Sequence, residues 1–162
     1  MDTIALRDAY DTFIATVRPL EPRRPPADEW PAELVLAHVI VVDRLIAQAA
    51  AEVLAGRKPR YDNRASQSEP YLRAIAAAAG SWDALVDRVR EAGDELIRVA
   101  EAVPDELAET LIDVYVLDGD RTQVDGPAPL GRLLQTPARV HLPAHSEQLT
   151  ARAPEALAGS AI

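Results

Sequence analysis

The sequence predicts an all-α protein: a four-helix bundle with one long crossover and a small hairpin-like insertion before the last helix. Three observations predict it. Apolar residues recur at helical spacing in four long segments. Proline- and glycine-rich stretches separate these segments, and β-type residues gather in one place, ahead of the fourth. A chain of 162 residues is the size of one ordinary domain and buries a core without staples, so residues 1–162 are read as a single domain. A parallel sheet has no place in this expectation.

The first helix is expected over residues 3–18, where Ile4, Leu6, Tyr10, Phe13, Ile14 and Val17 keep helical period with charges between them. The following stretch, PLEPRRPPADEWP, holds five prolines and cannot be a helix interior. It reads as a connection ending where Pro31 takes the first helical position. Helix two runs from Pro31 to Ala55 and stops at Gly56. GRKPRYDNRASQSEP is polar and irregular, a long surface loop crossing the end of the bundle. The third helical segment spans 69–103, with Leu85, Val89, Leu96, Val99 and Val103 as core candidates. Gly80-Ser81 interrupts it with a break or a kink; Ser81 can cap a fresh helix, although Ala84 stands where a capping-box glutamate would sit. After Pro104, the stretch TLIDVYVLDGDRTQVDGPAPL reads as a hairpin turning at Asp118-Gly119-Asp120, with non-helical chain over 107–127. Helix four begins near Pro129 and ends near Arg152, and residues 153–162 form a frayed tail.

Composition narrows the function classes. There is no cysteine, which excludes disulfides, thiolate ligands and a cysteine nucleophile, and fits a reducing cytosol. The N-terminus lacks a basic start followed by an apolar run, and no segment is read as a membrane span, so a cytoplasmic protein without a membrane partner is expected. A net charge of −9 and a pI near 4.8 argue against nucleic acid, whose phosphates would be repelled. Lys58 is the only lysine beside abundant arginine and alanine, a bias that suggests a GC-rich genome and carries no functional weight.

Candidate site residues come from the three histidines. His141 and His145, four apart in HLPAHSEQL, fall on one side of a helix, where both imidazoles can grip one metal ion. Leu130, Leu134, Pro137, His141, His145 and Gln148 share one face of helix four, the face a bundle buries. Pro143 complicates the pair, because it lacks the N–H that would bond to Arg139 and should bend the helix between the rings. His38 shares a stripe of helix two with Leu34, Val41 and Leu45. If the two helices face each other, the three rings converge on one divalent ion and leave a coordination position free, as in a catalytic or ligand-binding site. The plain alternative is accidental spacing. Gln148 is a candidate supporting residue, with backbone satisfaction as its alternative. Tyr115 is a candidate cover for the pocket mouth, with simple packing as its alternative. Asp43, Arg44 and Glu147 are read as solvated or salt-bridged surface groups.

A tryptophan before helix two, a histidine eight residues later and H-x-x-x-H-x-x-Q on the last helix resemble the DinB-like superfamily, which includes mycothiol-dependent maleylpyruvate isomerases. The matching positions are Trp30, His38, His141, His145 and Gln148. The resemblance implies a bundle with an up-down-down-up course, a zinc or nickel ion on the three histidines, and a homodimer. It also implies thiol transfer or isomerisation with a low-molecular-weight thiol such as mycothiol or bacillithiol. In a cysteine-free chain the thiol comes from outside, and an electrophilic small molecule is the second partner. Two other classes need the same histidines: a non-catalytic metal- or ligand-binding stress-response protein, including a bundle merely held together by metal, and a metal-dependent hydrolase. A fourth protein ligand would favour the structural role, and an open position the enzyme.

Overall fold

Four helical segments form where apolar periodicity places them. The computed structural model describes residues 3–20 and 29–151; the expected frayed tail and most of the proline-rich connection lie outside these. Helix α1 is Ile4–Val17 and α2 is Ala32–Leu54. The third segment is broken as the Gly80-Ser81 pair requires. Helix α3 (Glu69–Ala79) ends on Gly80, whose φ of 81° is left-handed and open to glycine at little cost. Helix α4 (Trp82–Ala102) starts on Ser81, whose hydroxyl accepts the Ala84 N–H at 3.2 Å. A single turn, α5 (Asp105–Ala108), follows Pro104. The last segment runs from Pro129 as α6 (Leu130–Thr136), a π-helical turn (Pro137–His141) and α7 (Leu142–Thr150).

The all-α expectation is overturned by a three-stranded mixed sheet, so the molecule is not a pure four-helix bundle. Its hairpin was foreseen, and is longer than a small insertion. Strands β2 (Leu111–Asp118) and β3 (Arg121–Pro129) are antiparallel, with Gly119 at φ 56° opening the two-residue turn. The unforeseen strand is β1 (Arg60–Asp62), inside the stretch read as irregular loop. It pairs parallel to β2, with Tyr61 opposite Val114. Three residues carry no readable alternation; Tyr61, Ile112 and Val114 are buried because β1 and β2 pair and turn one face to the core.

One core joins these layers. Helix α2 packs against α3, α4, β1 and α6, whereas α1 packs against α4, α7 and the π turn. Helix α4 and the last segment therefore both lie between α1 and α2. Contrary to the sequence expectation, α2 is long and apolar enough to cross a membrane, with 23 residues and a mean hydropathy of 1.8. Some 78% of that apolar window is buried inside the molecule, as in a core helix.

The α1–α4 contact depends on Gly93. A Cβ at this position would lie 2.6 Å from two carbons of the buried Tyr10 ring. In a free helix alanine is favoured over glycine by roughly 1 kcal/mol, but overpacking a filled core costs about 1–3 kcal/mol. Gly93→Ala is therefore expected to lower stability, read as an earlier urea midpoint; a later midpoint would show that the Tyr10 ring moves aside freely.

Candidate metal centre

The three histidines come from two regions distant in sequence, α2 and the last helical segment, and meet at one point. His38 lies mid-helix in α2 and is 7% exposed. His141 closes the π turn, and His145 is on α7. Both are half-buried, so the cluster is more enclosed at His38 than on the last helical segment. The predicted face of that helix follows the same gradient, from fully buried Leu130 and Leu134 to half-buried Gln148.

Pro143 follows a local widening of the last helical segment. The missing N–H and the bulk of its ring leave the Arg139 carbonyl without its usual partner. The chain widens into the π turn, and the Leu142 N–H reaches back to the Pro137 carbonyl. The two rings still converge: His141 Nε2 is 3.1 Å from His145 Nε2 and 2.9 Å from His38 Nε2.

Hydrogen bonds decide which nitrogens face inward. His38 Nδ1 is 2.8 Å from the Ser66 carbonyl oxygen, which can only accept, so Nδ1 carries the proton and Nε2 holds a lone pair. His145 Nδ1 likewise donates to Gln148 Oε1 at 2.9 Å, freeing its Nε2. Both lone pairs point at His141 Nε2. A proton there satisfies one neighbour at a time, whereas a cation between the three satisfies all of them. His141 Nδ1 is buried and has no hydrogen-bond partner among the described residues. Burial holds the His38 pKa down to about 4, against the opposing Ser66 bond, with His145 lowering it further and Asp118 raising it. Burial, then His145 and His38, push His141 well below the usual histidine range. Neutral rings of this kind are the ligand form.

The group can hold a metal ion. With metal–nitrogen bonds of roughly 2.0–2.1 Å, nitrogens 2.9 and 3.1 Å apart subtend about 90–100° at a shared ion. All three ligand atoms lie within 4.8 Å of one another. Among the described residues, no aspartate, glutamate or fourth histidine joins them.

The other candidates separate. Gln148 bonds directly to His145, and the Trp30 ring lies 5.6 Å from that of His38. The Arg60 and Arg64 guanidinium groups lie over the Tyr115 ring, and its hydroxyl faces Thr122. Arg44 and Glu147 are exposed as expected, but Asp43 is fully buried, which corrects its reading as a surface group. Sequence reasoning missed Ser66, whose contribution is a backbone carbonyl and leaves no side-chain signal. A cavity of about 390 Å³ lies apart, between α5 and α6, with Asp105, Glu109, Arg132 and Arg139 in its lining. Compared with known families, curated proteins and solved structures, the chain matches none.

Proposed function

We propose that this chain is a metal-dependent thiol S-transferase or isomerase, in which a low-molecular-weight thiol of the mycothiol or bacillithiol type attacks an electrophilic substrate beside His38, His141 and His145. The observation that carries the reading is the convergence of three histidines with no fourth protein ligand among the described residues. Neutral imidazoles suit zinc and nickel. Bound there with its full dipositive charge, such an ion lowers the pKa of a thiol or water that reaches its free side.

The chain's own residues bind and orient. The Ser66 carbonyl and Gln148 fix two ring tautomers, and Trp30 packs beside His38. None of the three histidines serves as a general base in this reading: each Nε2 is a ligand, and the Nδ1 protons of His38 and His145 are already committed. The absence of cysteine makes the nucleophile an external one. The pattern of Trp30, His38, His141, His145 and Gln148, similar to that of DinB-like proteins, supports a thiol cosubstrate. The negative net charge favours small molecules over nucleic acid as partners. A metal-dependent hydrolase competes, since water fits the same free side.

Incubating zinc- or nickel-loaded protein with each thiol and a panel of electrophiles, then weighing the products, separates the readings. Thiol adducts or isomerised products that disappear with chelator and return with metal are expected. Hydrolysis without thiol would replace the transferase reading with the hydrolase. Failure of every thiol to bind at millimolar concentration, with no turnover, would leave a non-catalytic metal-binding protein.

A further inference from the structure

The described core holds five buried polar or charged side chains, and three of them, His38, Asn63 and Ser66, form one hydrogen-bonded line. His38 Nδ1–H donates to the Ser66 carbonyl, and the Ser66 hydroxyl donates to the Asn63 carbonyl at 2.8 Å. The Asn63 side chain then reaches β2: its Nδ2 donates to the Leu117 carbonyl at 2.8 Å, and its Oδ1 accepts the Leu117 N–H at 2.7 Å. Gln67 Nε2 adds a longer bond to the same carbonyl, at 3.3 Å.

The local folding explains this arrangement. Strand β1 pairs with β2 as far as Asp62 opposite Tyr115, and the chain then leaves the sheet for a short 3₁₀ turn, Asn63–Gln67. Leu117 follows the irregularity in the β2–β3 ladder, and its backbone groups on the β1 side have no strand beside them. The Asn63 amide offers one donor and one acceptor, as a strand residue does, and extends the ladder by one step. Its side chain thereby ties the turn that presents the Ser66 carbonyl to the hairpin.

We propose that Asn63 is a positioning residue of the metal centre, holding the Ser66 carbonyl where it fixes the tautomer and direction of His38; this rests on the metal-binding reading of the three histidines. Buried polar groups of this kind are costly unless each is satisfied, and here each member of the line satisfies the next. A residue two bonds removed from a ligand acts by keeping the ligand nitrogen aimed, so its loss weakens metal binding while all three ligands remain.

The test is cobalt(II) titration of the full chain, followed by the visible absorption of the bound ion, in the parent, Asn63→Ala and Gln67→Ala. Asn63→Ala is expected to weaken cobalt binding about 10- to 100-fold and to shift the absorption bands. Gln67→Ala, which leaves both short Leu117 bonds in place, is expected to keep parental bands. Should Asn63→Ala fail to fold, Asn63→Asp is measured: it retains the bond from the Leu117 N–H but turns an oxygen toward the Leu117 carbonyl, and it is expected to show the same weakening and band shift. Parental affinity and bands in a folded Asn63 variant, with only a lower unfolding midpoint, would overturn the proposal and leave Asn63 a structural tie. If the parent itself binds no cobalt, the metal reading falls and this proposal falls with it.

Discussion

Replacing His141 with alanine is expected to abolish stoichiometric metal binding while barely destabilising the metal-free protein. Structural zinc sites contribute about 10–16 kcal/mol through four ligands, roughly 3–4 kcal/mol each, so losing one ligand weakens binding by on the order of 10²–10³-fold. His141 should be the most sensitive of the three, because its Nε2 is the atom within 2.9 and 3.1 Å of both others. The small effect without metal has its own cause. Alanine removes a ring whose Nδ1 is buried without a partner and whose Nε2 faces two lone pairs, and that relief offsets the packing lost. An ordinary core residue would instead cost about 2–5 kcal/mol on truncation. The measurement is elemental analysis together with thermal unfolding, with and without zinc or nickel. Full metal occupancy in the His38→Ala, His141→Ala double variant would reject the ligand assignment. A metal-independent fall in the unfolding temperature, as large as for a Leu134→Ala control, would show that His141 serves packing alone.

The site was more legible in the sequence than the fold around it, and particular residues show why. His141 and His145 are near neighbours in the chain, and His38 sits on an apolar stripe, so helical period alone brought the three into one hypothesis. The helical segments were readable for the same reason: Leu85, Val89 and Leu96 repeat at a spacing that only one local conformation turns into a face. Strand β1 was not readable, because Arg60, Tyr61 and Asp62 become a strand through pairing with Asp113, Val114 and Tyr115 far along the chain. The residues that aim His38 left almost no trace either, since Ser66 contributes a backbone oxygen and Asn63 an amide inside a polar stretch where amides are ordinary.

Asp43 was misread because a charged residue usually finds water. Helix α2 gives it no route: it is buried from Leu34 through Asp43 without a break, and a carboxylate there has no wet face to turn toward. Neither oxygen of Asp43 has a hydrogen-bond partner among the described residues, nor does the Tyr10 hydroxyl. The Tyr10 hydroxyl is near enough to hydrogen-bond weakly to Asp43 and lower its pKa, although the contact falls short of a well-formed bond.

Asp43→Asn is expected to stabilise the protein above neutral pH and to change it little in acid. Burial raises the Asp43 pKa from 3.8 to about 7, with the nearby Tyr10 hydroxyl acting weakly the other way. A raised folded-state pKa means that the folded chain holds a proton which the unfolded chain releases between these values. The stability it contributes is therefore present below pH 3.8 and is lost as pH rises to about 7. At about 1.4 kcal/mol per pKa unit, the full loss is on the order of 4 kcal/mol, an upper bound because the core can relax around the charge. His38 works in the opposite sense: its pKa is lowered from 6.5 to about 4, so its contribution is complete above pH 6.5 and is lost as pH falls toward 4. The two slopes oppose one another in the parent, and the variant keeps only that of the histidines. Urea unfolding in chelator, from pH 4.5 to 8, should thus give two curves that start close together and diverge until about pH 7, with the variant the more stable. Asparagine keeps the shape and the buried polarity of the protonated acid, so the divergence reports the charge alone. Parallel curves would mean that the Asp43 carboxylate is stabilised in the folded protein at neutral pH, by a bound water or cation, and would overturn the assignment of a buried, unpaired acid.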